Sequence, residues 1–308
     1  MKYFIEIKYY SIFYKLFTTN NTFYGWGRKK SGLSAIVLAK KYNTQYTLLE
    51  DGFIRSLDLG VHNSPSFSIV KDTKGIYYDA TSPSELENIL NTYNFCLDSN
   101  LIKLSTKAMN LIIENNISKY NHAPNITTNF FQNNTTSKVL IIAQTSGDAS
   151  LKYGLATKFT TKQIINDAIS ENPNASIYIK IHPDVLSGKK KSDIIMNEIP
   201  ESCIILNEDF NPISLLKHFD KVYTKTSGMG MEALILGLDV VCYGIPYYSG
   251  WGLTEDKQKC ARRSRKLTIE ELFAGAYILY TKYYNPYTKK TSDIIDTINE
   301  IVRQKKML

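Results

Sequence analysis

Apolar positions along this chain recur with two periods, and the switches between them mark out strands and helices in turn. Beyond residue 138 the alternation is regular. Val139 to Ala143 is a short β-type run, and Ile164, Ile165, Ala168 and Ile169 recur at helical spacing until Asn172 and Pro173 stop them. Ser176 to Ile181 and Cys203 to Leu206 predict strands, Ile213 to Phe219 a helix, and Lys221 to Thr224 a strand. Met229 to Leu236 predicts a helix closed by Gly237, with a buried strand from Val240 to Tyr243 after it. Strands that alternate with helices over this length predict an α/β fold with a parallel sheet covered on both faces.

The first half carries a weaker version of the same alternation, with a helix over Leu33 to Lys41, a strand over Thr47 to Glu50 and a helix from Pro83 to Tyr93. Residues 115–137, rich in Asn, Thr and Ser and broken by Pro124, predict a linker. The expected organisation is a Rossmann-like domain with its linker over 1–135 and a second over 136–308, facing each other across a cleft. The second domain ends in helices, one capped by Thr268 ahead of Glu270 and Glu271 and one from about Ser292 onward. No repeat of 20 to 50 residues is evident, but both tryptophans lie in Gly-Trp-Gly, at 25–27 and 250–252.

With 308 residues, 43% of them hydrophobic, the chain is long enough for two domains of ordinary size, which argues against a single small binding module. Cys96, Cys203, Cys242 and Cys260 form no C-x-x-C pair and read as free thiols of a reducing compartment. Lys2, Glu6, Lys8 and Lys15 interrupt the apolar start, so no export signal is expected, and no apolar run is long enough to span a membrane. The expected location is the cytoplasm, with room for contact at a membrane surface. A net charge of +8 suggests anionic partners without choosing among nucleic acid, lipid and a charged nucleotide. Lys257, Lys259, Arg262, Arg263, Arg265 and Lys266 make the richest basic cluster, with Lys189, Lys190 and Lys191 a second; either is equally well a solvated face.

Candidate chemistry gathers where predicted strands end, the edge at which doubly wound sheets bind ligands. Lys180, Ile181, His182, Pro183 and Asp184 form one such end, able to hold a phosphate or to be a plain strand terminus with a turn. Thr226, Ser227 and Gly228, ahead of a helix carrying Glu232, form another, as a phosphate site or an ordinary helix cap. Gln144 to Ser150 follows the first strand after the linker and brings Asp148 to the cleft mouth, where a carboxylate could attack an anomeric carbon or cap the next helix. The loop Tyr243 to Thr254 could pack against a sugar or base, or fold onto the core by its own aromatics. After another strand, Arg55 could engage a carboxylate by its fork or pair internally with Asp51. The chain has no H-E-x-x-H, no Cys and His metal set, no Walker loop and no D-x-D pair, which points to metal-free chemistry.

Trp26-Gly27-Arg28-Lys29, EDGFIRS at 50–56, GIYYDA at 75–80, QTSGDAS at 144–150, KIHPD at 180–184, TSGMGMEAL at 226–234 and YGIPYYSGWGLT at 243–254 resemble, in order, the motifs of the KpsC-type capsule polysaccharide β-Kdo transferases. The resemblance implies a GT-B-like fold and retaining transfer of Kdo, an eight-carbon acidic sugar, from CMP-β-Kdo to a lipid-linked saccharide, without a cofactor. It implies Asp148 as nucleophile with Gln144 beside it, and Lys180, His182, Pro183, Thr226, Ser227, Gly228, Glu232, Tyr243 and Trp251 on the donor side. Arg55, Asp51, Trp26 and Arg28 fall on the acceptor side. Met231 stands where the family has Phe, and Asp58 where a small residue is usual. The capsule enzymes carry two such modules in tandem and this chain has one, so a single linkage and a partner among other polysaccharide assembly enzymes are expected. The rival expectations are a transferase of another CMP-sugar, such as a sialic acid, and a non-catalytic glycan-binding subunit. Nothing but charge suggests a nucleic-acid partner, and none is expected.

Overall fold

Two sheets organise the chain, and their strand orders explain where ligands can enter. The structure, a computed structural model, describes residues 17–19, 21–59, 63–127, 130–131, 136–181, 185, 194 and 198–307. The first unit begins with strands β1 (Phe17–Thr19) and β2 (Thr22–Trp26), helix α1 (Lys30–Tyr42), strands β3 (Gln45–Asp51) and β4 (Ser68–Asp72), and helices α2 (Glu85–Thr92) and α3 (Ser99–Asn115). The second holds β5 (Lys138–Ile142), α4 (Ala149–Tyr153), α5 (Thr161–Glu171), β6 (Ser176–Lys180), β7 (Ile204–Leu206) and α6 (Pro212–Leu216). It continues through β8 (Lys221–Thr224), α7 (Met229–Ile235), β9 (Asp239–Cys242) and β10 (Glu255–Asp256). Helix α8 (Ile269–Phe273) then runs into a wider π-helical stretch, Ala274–Tyr280, and strands β11 (Thr281–Asn285) and β12 (Lys290–Ser292) precede the last helix, α9 (Ile294–Lys305).

The second sheet is parallel throughout, in the order β7-β6-β5-β8-β9-β10. Its central strand β5 is buried along Val139 to Ile142, as an apolar run covered on both faces must be. The chain winds outward from β5 through β6 and β7, returns to the other side of β5 at β8, and winds outward again. The crevice between the carboxyl ends of β5 and β8 is therefore a topological switch point.

The first sheet departs from the weaker parallel alternation expected of it. Its order is β1-β2-β3-β4-β11-β12, and among these pairings only β2 with β3 is parallel. The expected boundary also changes, because residues 281–292 leave the second unit and extend the first sheet. Thr281 and Tyr283 are buried, which demands a sheet neighbour, and the free edge of β4 supplies it. Ile294, Ile298 and Ile301 on α9 are buried as well. Helix α3, which Asp98 caps through the Leu101 N–H, is an element additional to those expected. One continuous apolar cluster runs from Leu48 and Phe53 to Leu140 and Met231, so the two units share a core.

Candidate active site

Three loops from the carboxyl edge of the second sheet converge on Thr226. Its backbone N–H donates to Gln144 Oε1 at 2.8 Å, while Gln144 Nε2 donates to the Thr226 hydroxyl at 3.1 Å. The Ser150 hydroxyl lies 2.9 Å from the same oxygen. The loops after β5 and β8 are thereby cross-linked at the switch point. The loop after β9 joins them: Gly244 N–H donates to Lys225 O, and Ile245 N–H to Gly154 O at 2.7 Å. Glycine is required at 154 and 244, because a Cβ at either would sit about 2.5 Å from its neighbours, Thr226 Cγ2 among them.

Asp148 stands exposed at this junction. Its Oδ1 accepts the Ser150 N–H at 2.9 Å and caps α4, and Ser150 in turn touches Thr226, so the carboxylate is held within a few bonds of the β8 turn. Thr226 is buried, Ser227 half-buried and Gly228 exposed, so Thr226 cements the loops while the next two residues face outward. Lys180 ends β6, beside Ile142 of β5. Its side chain is 8% exposed, and its Nζ has no hydrogen-bond partner among the described residues. Burial lowers its pKa, against the pull of Asp209 and Glu208. An orphan ammonium at a ligand-binding edge is a site prepared for an anion. His182 and Pro183 lie outside the described residues.

The first unit faces this edge with the carboxyl ends of β2 and β3. Ala80 N–H donates to Tyr153 O at 2.9 Å, and the Arg28 guanidinium lies over the Tyr153 ring at 5.8 Å. Phe53 packs on Tyr247 with ring centroids 4.6 Å apart. Arg28 pairs with the buried Asp79 at 2.5 Å and donates to Ser82. Arg55 pairs with Asp51 at 2.9 Å, the internal ion pair that competes with a ligand role. Trp26 Nε1 donates to Glu50 Oε1 at 2.8 Å, and burial, then the Asp51 charge, raises the Glu50 pKa.

A family model described as capsule polysaccharide biosynthesis protein matches residues 22–283. The chain belongs to this family. Its motifs are the loops just described, all inside the matched span. A capsule polysaccharide modification protein, LipA, of Neisseria meningitidis serogroup B is 39% identical over 290 residues, covering 92% of this chain and 41% of the relative. The lipopolysaccharide-processing protein LpsZ of Rhizobium meliloti is 38% identical over 82% of this chain and 58% of its own length. The chain thus spans about two fifths to three fifths of these curated relatives. Among solved structures, a Thermosulfurimonas dismutans KpsC described as a β-Kdo 2,4 transferase superposes with a TM-score of 0.85 at 43% identity, covering 91% of this chain and 86% of that one. A second, described as a β-Kdo 2,7 transferase, gives 0.70 at 30% identity over 92% and 85%. The α/β, GT-B-like architecture of two sheets agrees with these likenesses.

Several family motif residues do not reach the surface. Trp251 is 0% exposed, with its Nε1 donating to Tyr247 O, and Tyr243 is buried with its hydroxyl donating to Asp167 at 2.6 Å. Neither ring can stack on a sugar, so both correct the donor-side expectation. The aromatic loop folds onto the core because its rings exclude water best there. Glu232 faces the seam between the units, where Ser118 Oγ donates to its Oε1 at 2.5 Å, and burial pushes its carboxyl up to about 7.

Four of the six residues of the basic cluster at 257–266 have partners within the protein. Lys257 meets Glu255 and Glu171, Arg262 and Arg263 share the buried Glu87, and Arg265 donates to Tyr93 O. Lys259 and Lys266 are exposed, Lys257, Arg262 and Arg265 are half-buried, and Arg263 is buried. Lys189, Lys190 and Lys191 lie outside the described residues. Among those residues no helix is long and apolar enough to cross a membrane, and no group of three or more His, Cys, Asp and Glu is placed to hold a metal ion. The structure adds Ser118, Lys119, Tyr77 and Ser150 to the site's neighbourhood. Tyr77 and Ser150 fall inside motifs quoted above without being singled out there, and Ser118 and Lys119 lie in a segment whose composition reads as linker.

Proposed function

We propose that the chain is a retaining glycosyltransferase that moves Kdo from CMP-β-Kdo to a lipid-linked saccharide in capsule or surface polysaccharide synthesis. The observation that carries this reading is that Asp148, the Ser227 turn and the unpartnered Lys180 lie at or after the carboxyl ends of three adjacent parallel strands, β5, β8 and β6, with Asp148 tied through Ser150 to Thr226. The β-Kdo transferase activities described for the two similar KpsC structures support it. In this reading Lys180 and the Ser227 to Gly228 turn receive the donor phosphate, with His182 as a further contact. Gln144 and Thr226 hold the two loops in register. The Asp148 carboxylate attacks the anomeric carbon, the bond from that carbon to the phosphate oxygen breaks, and CMP leaves with the electron pair. An acceptor hydroxyl then displaces the carboxylate from the opposite face, its proton passing to a base or to water, and the two inversions give net retention. No metal takes part, since a monophosphate leaving group needs less charge neutralisation than a diphosphate.

Asp148→Asn is the decisive variant, because the amide oxygen can still cap α4 while its nucleophilicity is gone. With CMP-Kdo and a Kdo-terminated glycolipid, wild type should release CMP at a rate unaffected by EDTA, and without acceptor should gain the mass of one Kdo. The variant should melt like wild type and do neither. Undiminished CMP release by the variant would rule out the nucleophile, and loss of wild-type activity in EDTA would rule out the metal-free step.

A further inference from the structure

We infer that the outward face of α1 docks on an anionic lipid surface. The inference goes beyond the transferase reading and holds or fails without it.

Helix α1 turns Gly32, Ala35 and Ala39 toward the first sheet, where small side chains let it press close to β2. A Cβ on Gly25 would lie 2.5 Å from Gly32 Cα, so strand and helix meet backbone to backbone. At 3.6 residues per turn, the side opposite those three carries Lys30, Leu33, Val37, Lys40 and Lys41. All five are exposed, Leu33 to 42% and Val37 to 64%. An aliphatic pair one turn apart is thus left in water, with lysines at both ends of it.

Nothing in the surrounding sequence balances these lysines. No Asp or Glu occurs between Glu6 and Glu50, so neither β2 nor α1 brings an acid. The side chains of Lys30, Lys40 and Lys41 make no ion pair or hydrogen bond among the described residues, and Lys41 lies only over the Tyr42 ring at 5.4 Å. Lys29, exposed at the start of the helix, extends the row.

Aliphatic side chains flanked by cations match the boundary of an anionic bilayer. The hydrocarbon enters the headgroup layer while the ammonium groups stay with the phosphates. Lysine is depleted in protein interfaces, so three of them around two aliphatic residues suit lipid better than a protein partner. With 13 residues the helix is too short to cross a bilayer and would lie on it. Its first turn follows the Trp26 to Lys29 loop on the cleft edge of β2. Docking would therefore hold the acceptor side of the cleft within one helix length of the lipid, about 20 Å. A lipid-linked saccharide presents its sugar from such a surface.

The test is cosedimentation with lipid vesicles. It compares wild type with Lys30→Glu/Lys41→Glu, with Leu33→Ser/Val37→Ser, and with Lys259→Glu/Lys266→Glu as a control, since that pair is exposed with no exposed large apolar side chain in its loop. Vesicles of one part phosphatidylglycerol to two parts phosphatidylcholine should bind wild type, and pure phosphatidylcholine should bind it at least about tenfold less. Each lysine contributes roughly fivefold to such partitioning, so the charge reversal on α1 should cost about tenfold or more. Loss of the two aliphatic side chains should cost about tenfold as well. Both variants should melt like wild type, and the control should bind as wild type does. A wild type that stays in the supernatant, or a charge-reversed α1 that binds undiminished, overturns the proposal. An equal loss in the control does so too, because net charge rather than α1 would then drive binding. A wild-type dimer in light scattering that Leu33→Ser/Val37→Ser splits would show that a second copy covers the face instead. None of these readouts uses CMP-Kdo, so the transferase reading stands or falls apart from them.

Discussion

Thr226 shows how one hydroxyl joins two loops that the sequence separates by some eighty residues. It meets both Gln144 and Ser150, and it is buried, so its partners have no water to turn to. Thr226→Val keeps the shape and removes the hydroxyl, leaving the buried Gln144 amide short of an acceptor. The expected cost is about 1–3 kcal/mol in urea melts, with a fall in CMP release, and Thr226→Ser should restore most of both. An unaltered melt for the Val variant would mean the cross-link does not hold the loops. Trp251 and Tyr243 teach the opposite lesson at the same scale. Aromatic residues in a glycine-rich loop suit a sugar platform or a packed core equally well in sequence, and only their zero or near-zero exposure decides for the core.

Among the elements, those with local signals appear where the pattern puts them. The Thr268 capping box is one: its hydroxyl accepts the Glu271 N–H and the Glu271 carboxylate accepts the Thr268 N–H. Thr268→Ala should cost about 1 kcal/mol, read as a lowered melting temperature without loss of activity, since α8 packs away from the switch point. The helix pattern through Leu272 and Ala276 is likewise legible, but its widening into a π-helical stretch is not. The parallel strands β5, β6, β8 and β9 are apolar runs bounded by turn residues and are readable for that reason. Strands β4, β11 and β12 are not, because each is stabilised by neighbours far along the chain; β11 pairs with a strand some two hundred residues earlier.

For the molecule as a whole, the seam makes stability depend on pH through Glu232. Its carboxyl is raised to about 7 by burial, from an ordinary value of 4.5. The folded chain then binds more protons than the unfolded one, so this contribution is complete below about pH 4.5 and is lost as pH rises through about 7. It amounts to something on the order of 3 kcal/mol. Glu232→Gln should remove this part of the slope when denaturant melts are compared between about pH 5 and 8. Identical slopes for the variant and wild type would show that Glu232 does not titrate in that window. The same seam holds Glu87, shared by Arg262 and Arg263, so charges that look like a surface patch in sequence act as an internal fastening.

The sequence by itself determined the α/β class, the parallel second sheet, the strand-end placement of Lys180, Asp148 and Thr226, and membership of a family with ordered motifs. These follow from periodicity, turn chemistry and motif order, all of which are local. The tertiary structure alone decided that residues 281–292 complete the first sheet, that Trp251 and Tyr243 are core, and that the basic cluster is mostly paired. Whether a charge is paired or a ring is covered depends on groups brought from elsewhere in the chain. Such long-range partners leave no period and no spacing to read.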